Sequence, residues 1–490
     1  MNADTLLLAA VTVPLLGAVL VALAASRLNL REAATLVAAV GLFATVAGMV
    51  PEVLAGGRPA TSPWPILPGV ELRLVVEPLG LLFALVASFL WIVNSIYSIG
   101  YMRANREPRQ TSFYVCFAAS LAATMGIAFA GNLVTLFLFY EILTLVTYPL
   151  VVHKRTQEAV RAGRTYLGVL LGSSLVLFLT GVIWVHVVAG TGDFMEGGVL
   201  AGIATPATTA VLLALFVFGI GKAAVMPVHR WLPAAMVAPT PVSALLHAVA
   251  VVKAGVFSLL KVVVYIFGAD HLSATGAGDW LVYAAGFTVI AASTIALFQD
   301  NLKRRLAYST VSQLSYVVLA AGLLAPLSVV GAALHIAAHA FGKITLFFAA
   351  GAIYTASHKT EVSQLTGIGR RMPWTMTAFA VGALTMIGLP PTVGFISKWF
   401  ILAAAAEGGQ YLILAVLVLS TLLNAAYLLP PVYAAFFREA RRDDDDDQGH
   451  GEAPWPIVAA QSVTAAGCIA LFFLPHLALA LARQFAGAVP

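Results

Sequence analysis

The residues in this chain that could do chemistry are lysines, histidines and one glutamate set in sequence otherwise suited to hydrocarbon. Between Gly219 and Lys261 it reads GIGKAAVMPVHRWLPAAMVAPTPVSALLHAVAVVKAGVFSLLK, with Lys222 and Lys253 among four prolines and two histidines, His229 and His247. Glu141 falls in the middle of GNLVTLFLFYEILTLVTYPL. His335, His339 and Lys343 recur every fourth residue in LHIAAHAFGKITLFF, so they share one helix face. Lys398 follows the helix-breaking GLPP of GLPPTVGFISKWF. An ionised side chain is costly inside a bilayer unless paired, hydrated or neutralised, and such residues mark ion routes. The chemistry these types support is proton transfer. A carboxylate beside Lys222 keeps the amine charged, and its withdrawal leaves the amine free to lose a proton. A neutral imidazole accepts a proton on one nitrogen and donates from the other.

Each residue also has a structural reading. Glu141 and Lys222 could form a permanently closed ion pair. Lys253 and His247, six residues apart, lie on different helix faces and line one path only if protein surrounds that helix. Lys261, near the end of its apolar run, is read as snorkelling toward the interface. Lys398 either exchanges protons with the outer face or snorkels. Ser309, Thr310, Ser312 and Gln313 either hydrate the path or bond neighbouring helices. His229 and Arg230 form a wetted inlet or an interfacial anchor, and Glu77, followed by Pro78, is read as a structural or partner contact. Zinc on His335 and His339 lacks a nearby carboxylate or cysteine to complete four ligands. Cys116 and Cys468 are far apart and form no Cys-x-x-Cys pair, and no Gly-rich nucleotide loop follows a strand. No cofactor is therefore expected, and the net charge of +5 is explained by membrane-flanking loops without nucleic acid.

The elements that must position these groups are membrane helices. The chain is 60% hydrophobic and 10% charged, against about a quarter charged in soluble domains. Stretches long enough to cross hydrocarbon fall at 5–25, 33–50, 74–99, 112–130, 132–152, 164–188, 208–229, 240–266, 280–299, 305–324, 327–354, 374–403, 410–437 and 457–482. The fold class expected is all-α and polytopic, with 14 transmembrane helices. Basic residues support the alternation. One set of loops holds Arg27, Arg31, Arg103, Arg106, Arg109, Lys154, Arg155, Arg161, Arg164, Arg230, Lys303, Arg304, Arg305, Lys359, Arg370, Arg371, Arg438, Arg441 and Arg442. The other set holds Arg58, Arg73 and Arg483. Both termini are then expected on the outer side of the plasma membrane, and the first helix, lacking a basic start, is expected to be retained. The Asp443–Asp447 run reads as a solvated loop.

Spans 7 and 12 are both broken and both carry a lysine, five spans apart, which is the pattern of an inverted five-helix repeat. The expected organisation is N-terminal helices over 1–111, a first repeat over 112–266, a second over 267–437, and an acidic loop with a last helix over 438–490.

At these residues the chain resembles the antiporter-like membrane subunits of respiratory complex I, membrane-bound hydrogenases and multisubunit (Mrp-type) cation/proton antiporters. The matching motifs are LFLFYEILTL, GKAAVMPVHRWLPAAMVAPTPVSALLHAVAVVKAG, DNLKRRLAYSTVSQLSY, LHIAAHAFGKITLFFAAG and GLPPTVGFISKWF, spread over about residues 74–435. The resemblance implies broken helices 7 and 12 and a proton path. By motif, Glu141 and Lys222 look like the gating pair, Lys253 like the central lysine, His335, His339 and Lys343 like the relay, and Lys398 like the outer exit. Length and the AMVAPTPVSALLHAVAVVKAG wording look most like the D subunit of the Mrp-type antiporter, while His247 beside Lys253 is similar to the larger subunits. The implied function is proton translocation within an oligomer of membrane subunits that exchanges Na⁺. A proton-pumping subunit of a complex I-like NADH-quinone oxidoreductase or hydrogenase is the alternative, and a structural membrane anchor is the alternative of another class.

Overall fold

A computed structural model describes residues 3–67, 69–439 and 451–487; for Ala3, Leu67 and His247 it describes the main chain alone. The Asp443–Asp447 run lies outside the described residues. The chain is mostly helical, and it is a multi-pass membrane protein. Ten described helices are long and apolar enough to cross a membrane, and an eleventh is added if the bent pair Val251–Phe267 and Ala269–Thr275 counts as one span. Helices dominate because hydrocarbon offers no partner for a backbone amide, so each segment must satisfy its own.

The helix Pro326–Ser357, which bears His335, His339 and Lys343, is the axis of the molecule. Its whole apolar window is enclosed by protein, against a third of the window for Tyr411–Phe437. Helices Leu302–Gly322, Pro373–Ile387, Val393–Glu407 and Trp455–Phe473 pack around it. Enclosure removes the lipid contact that would penalise its polar face.

Two regular helices stop short where the sequence is broken. Pro206–Gly219 ends in a short turn, Gly221–Ala223, that carries Lys222, and Ala224 follows with φ 56°. Pro373–Ile387 ends at Gly388, φ +89°, and the chain resumes as a helix at Val393–Glu407. A side chain at Gly388 would be strained by its left-handed backbone.

Three predicted stretches differ from the structure. The 208–229 segment is α-helical only to Gly219, and after the short turn Gly221–Ala223 residues 226–230 run as turns. The 240–266 segment is divided into Thr240–Ala244, the wide-turn segment Leu245–Val249 and Val251–Val262, with Ala250 pulled to φ −116°, ψ −69°. The 457–482 segment is two helices, Trp455–Phe473 and His476–Ala486, parted at Leu474 and Pro475 because proline cannot continue the ladder.

An unpredicted antiparallel pair, Trp64–Leu67 with Val70–Leu72, lies before the helix Pro78–Ala104. From it the chain runs on as isolated bridges, Leu74 to Ala130, and Asn132 to Asp193. This is the hairpin end of the molecule. The opposite end holds a cleft of about 1650 Å³ lined in part by Lys154, Arg161, His229, Arg230, Asp300 and Lys303.

Candidate proton pathway

Glu141 is carried on Leu133–Val151, a helix whose start is held at Asn132. The Asn132 side chain accepts from the Thr135 amide at 2.8 Å and donates to the Glu71 carbonyl at 2.8 Å. Both Glu141 carboxylate oxygens are buried, with no well-formed hydrogen bond among the described residues. Lys222 and the Ser174 hydroxyl stand within electrostatic reach of it.

Lys222 is fully buried. Its Nζ donates to the Thr144 hydroxyl at 2.5 Å and the Tyr140 carbonyl at 2.7 Å, and lies 3.1 Å from the centre of the Tyr140 ring. Its amide donates to the Tyr140 hydroxyl at 3.0 Å. One tyrosine thus holds the main chain and the ammonium of the broken turn together. Lys222 and Glu141 make no ion pair within 4.0 Å among the described residues, so the permanently closed bridge is not what the structure contains. The pair stands open, with the ammonium resting on neutral oxygens one residue before and three after the carboxylate.

The Lys253 helix touches this turn directly. A Cβ at Gly255 would meet the Lys222 carbonyl carbon and the Ala223 nitrogen at 2.2 Å, so only glycine allows the approach. Two residues earlier, Lys253 Nζ lies 2.6 Å from His339 Nδ1. His247 sits in the wide-turn segment one stage before; its side chain lies outside the described residues.

On the axial helix, the His335 and His339 rings are 6.1 Å apart. His335 Nδ1 meets the Ser397 hydroxyl at 3.0 Å, and its ring stacks on Tyr316 at 5.5 Å. Its Nε2 is buried without a well-formed hydrogen bond among the described residues, with the Gln313 backbone nearby. Lys343 Nζ donates to Ser309 at 2.6 Å and to the Leu306 carbonyl at 3.3 Å. Ser309 accepts from Tyr427 at 2.8 Å, and Tyr427 is in turn bonded to Asn424.

Lys398 is 4% exposed. Its Nζ donates to the Met386 and Ile387 carbonyls at 2.7 and 3.1 Å, and lies 4.6 Å from the Tyr316 ring centre. These are the last carbonyls of the helix that breaks at Gly388, where a cation is favoured by both hydrogen bonding and the helix dipole. Snorkelling is thereby ruled out for Lys398. It is also ruled out for Lys261, which is fully buried and pairs with Glu77 Oε2 at 2.9 Å. That expectation came from treating the helix end as lipid-facing, whereas protein encloses it.

Electrostatic proximity links the groups in two sets: Glu141 with Lys222, and Lys253 with Lys343 and His335, which both lie near Lys398. His229 and Arg230 line the cleft, at the foot of the Lys222 break. Of the polar residues on Leu302–Gly322, Ser309 bonds Lys343 and Ser312 bonds Ser293 at 2.8 Å. Thr310 bonds its own helix. Both amide atoms of Gln313 are buried without a partner among the described residues. A buried amide in that state calls for water.

Tyr140, Thr144, Tyr316, Ser397, Asn424 and Tyr427 were not singled out from the sequence. Faint signals existed: Tyr140 and Thr144 flank Glu141, Ser397 adjoins Lys398, and Asn424 and Tyr427 sit three apart on one helix face.

Residues 130–424 match the family model described as NADH:quinone oxidoreductase/Mrp antiporter, transmembrane. The chain is 35% identical over 376 residues to NADH-quinone oxidoreductase subunit N of Desulforudis audaxviator, covering 75% of this chain and 73% of that one. It is 31% identical to the A subunit of the Na(+)/H(+) antiporter of Alkalihalophilus pseudofirmus, covering 70% of this chain and 44% of that one. It is 32% identical to the A/B subunit of a probable K(+)/H(+) antiporter of Rhizobium meliloti, covering 74% and 36%. The chain thus spans less than half the length of these two antiporter subunits. A chain in the Mrp complex of a Dietzia species has the same fold, with TM-score 0.87 at 24% identity, covering 100% of this chain and 98% of that one.

Proposed function

Because the chain belongs to the NADH:quinone oxidoreductase/Mrp antiporter transmembrane family, we propose that it is the proton-translocating subunit of a multisubunit Na⁺/proton antiporter. The observation that carries this reading is the 2.6 Å contact between Lys253 and His339, in the enclosed middle of the molecule. A lysine and an imidazole at hydrogen-bond distance, shielded from lipid, can pass a proton without either leaving its helix.

The proton takes the route Glu141, Lys222, Lys253, His339, then His335 or Lys343, then Lys398, with His247 serving Lys253. Water bridges the gaps longer than a hydrogen bond. Glu141 approaches Lys222 when loaded and leaves it when the ammonium rests on Tyr140 and Thr144. The chain crosses the plasma membrane fourteen times with both termini outside, its cleft facing the cytoplasm. Residues 112–266 and 267–437 form inverted repeats, after helices within 1–111 and before a last loop and helix within 438–490. The two broken helices support this arrangement, since each carries a buried lysine beside its break, Lys222 on the Tyr140 carbonyl of a neighbouring helix and Lys398 on the last carbonyls before Gly388. Other membrane subunits of the same complex complete the Na⁺ path, and the chain holds no redox centre.

The match to a subunit N over 73% of its length favours a second reading, a proton-pumping subunit of a complex I-like oxidoreductase. Vesicles holding the whole complex separate the two. Na⁺-dependent proton flux without quinone supports the antiporter, and flux that requires quinone reduction supports the second reading. A Lys222→Ala complex of normal assembly loses flux under either. Undiminished flux would leave only a structural anchor.

A further inference from the structure

The Glu77–Lys261 pair lies outside the proposed route, yet its lysine is the most deeply buried charged partner in any ion pair among the described residues. Lys261 is fully buried and Glu77 is 8% exposed. The ammonium pairs with Glu77 Oε2 at 2.9 Å, donates to the Ala130 carbonyl at 2.5 Å, and faces the Phe194 ring at 4.2 Å. Each partner begins a different element. Glu77 is the residue before Pro78, at the start of Pro78–Ala104. Ala130 is two residues before Asn132, which caps the Glu141 helix. Lys261 lies two turns beyond Lys253 on the same helix, Val251–Val262.

The surroundings are built to bring these together. Val75 donates its amide to the Phe129 carbonyl at 2.7 Å, and Gly131 donates to the Arg73 carbonyl at 2.8 Å. A Cβ on Gly80 would lie 2.1 Å from the Ala128 carbonyl oxygen, so the start of Pro78–Ala104 rests directly on this segment. The segment 73–77 is thereby strapped to 129–131 by backbone alone. Among the described residues, Lys261 alone ties the Lys253 helix to the strapped unit by an ion pair.

A buried ion pair adds little net stability over an apolar pair of equal volume, because both charges must be desolvated. In some proteins such a pair is retained because it selects one register. We propose that Glu77 and Lys261 form a positioning clamp that sets the height and rotation of the Lys253 helix relative to the Glu141 helix. Neither residue carries the proton. They act through Lys253, whose partners tolerate displacement of no more than a fraction of an ångström. This rests on the proton route proposed above.

The test uses the whole complex in vesicles, with assembly measured for every variant and flux expressed per assembled complex. Lys261→Met and Glu77→Gln are expected to lower flux on the order of ten-fold and to displace its pH profile, since misplacement of about 1 Å has effects of this size or more. Lys261→Arg, which keeps the charge beside Glu77 and a donor for the Ala130 carbonyl, is expected to restore the native profile. A Lys261→Met complex with native flux and profile overturns the clamp, as does flux lowered with an unchanged profile. Should the methionine variant fail to assemble, Glu77→Asp decides. It keeps the charge and draws the carboxylate back, so a displaced profile supports the clamp and a native one overturns it. Lys222→Ala is measured in parallel. Undiminished flux there defeats the route itself; lost flux there with native behaviour in Lys261→Met defeats the clamp alone.

Discussion

Lys253 Nζ lies 2.6 Å from His339 Nδ1, on a helix 86 residues further along the chain. At that distance one nitrogen donates a hydrogen bond to the other, so the protonation of one bears on that of the other. His339→Gln keeps a hydrogen-bonding group of similar length but no group that titrates. Proton flux in vesicles is expected to fall on the order of a hundred-fold or more, the range assigned to a positioned acid–base group. Native flux in that variant would remove His339 from the route.

The Lys222 turn is predicted to depend on Tyr140 as much as on its own lysine. Tyr140→Phe keeps the ring beneath the ammonium but removes the acceptor of the buried Lys222 amide. Leaving that donor unsatisfied costs about 1–3 kcal/mol. The thermal midpoint of the purified complex should fall, with flux reduced more than the loss of folded complex explains. An unchanged midpoint would mean that the amide finds another partner.

Gly255→Ala is predicted to be severe for its size. The added methyl would meet Lys222 and Ala223 backbone at 2.2 Å, and backbone cannot swing aside as a side-chain tip can. Overpacking of this kind costs about 1–3 kcal/mol, and here it also pushes Lys253 from the Lys222 turn. Gly168→Ala is the control, because nothing described lies within 4 Å of its Cβ. In a helix that change should be neutral or stabilising by up to about 1 kcal/mol. Equal midpoints for both variants would contradict the close approach.

At the cleft end, His153 is predicted to weaken its loop in acid. Burial, and next the Arg109 guanidinium, hold the imidazole down from 6.5 to about 4. The folded loop therefore keeps it neutral where the unfolded chain has bound a proton. That contribution is present above 6.5 and is lost as pH falls toward 4. Glu107, whose Oε2 is 3.8 Å from His153 Nε2, is raised by burial and acts in the opposite sense. Comparison with His153→Gln isolates the histidine. Amide exchange of residues 105–110 and 152–156, corrected for intrinsic rate, should quicken in the native protein between about pH 7 and 5 and stay flatter in the variant. Parallel curves would assign the pH response elsewhere.

Much of the site could be read before the fold. Lys222, Lys253, Lys343 and Lys398 stand out because few side chains in apolar runs carry charge, and the histidine stripe stands out because four-residue spacing survives any packing. The partners could not be read so. Tyr427 reaches Ser309 over 118 positions, and Ser397 reaches His335 over 62. Tyrosine and serine are common in membrane helices, so type alone marks neither. Lys261 was misread for the same reason: its sequence position suggests an interface, and only packing shows it enclosed against Glu77.

Composition and charge by themselves determined that this chain is a bundle of membrane helices with a few titratable groups among them. The reason is energetic and local: each span must satisfy its own backbone, and each charge in hydrocarbon must have a cause. Which groups meet was decided by tertiary structure alone. Helix rotation, the glycine contacts at Gly80 and Gly255, and the breaks at Lys222 and Gly388 set which faces touch. A hydrogen bond of 2.6 Å tolerates errors far smaller than the turn of a helix, and that accuracy comes only from packing.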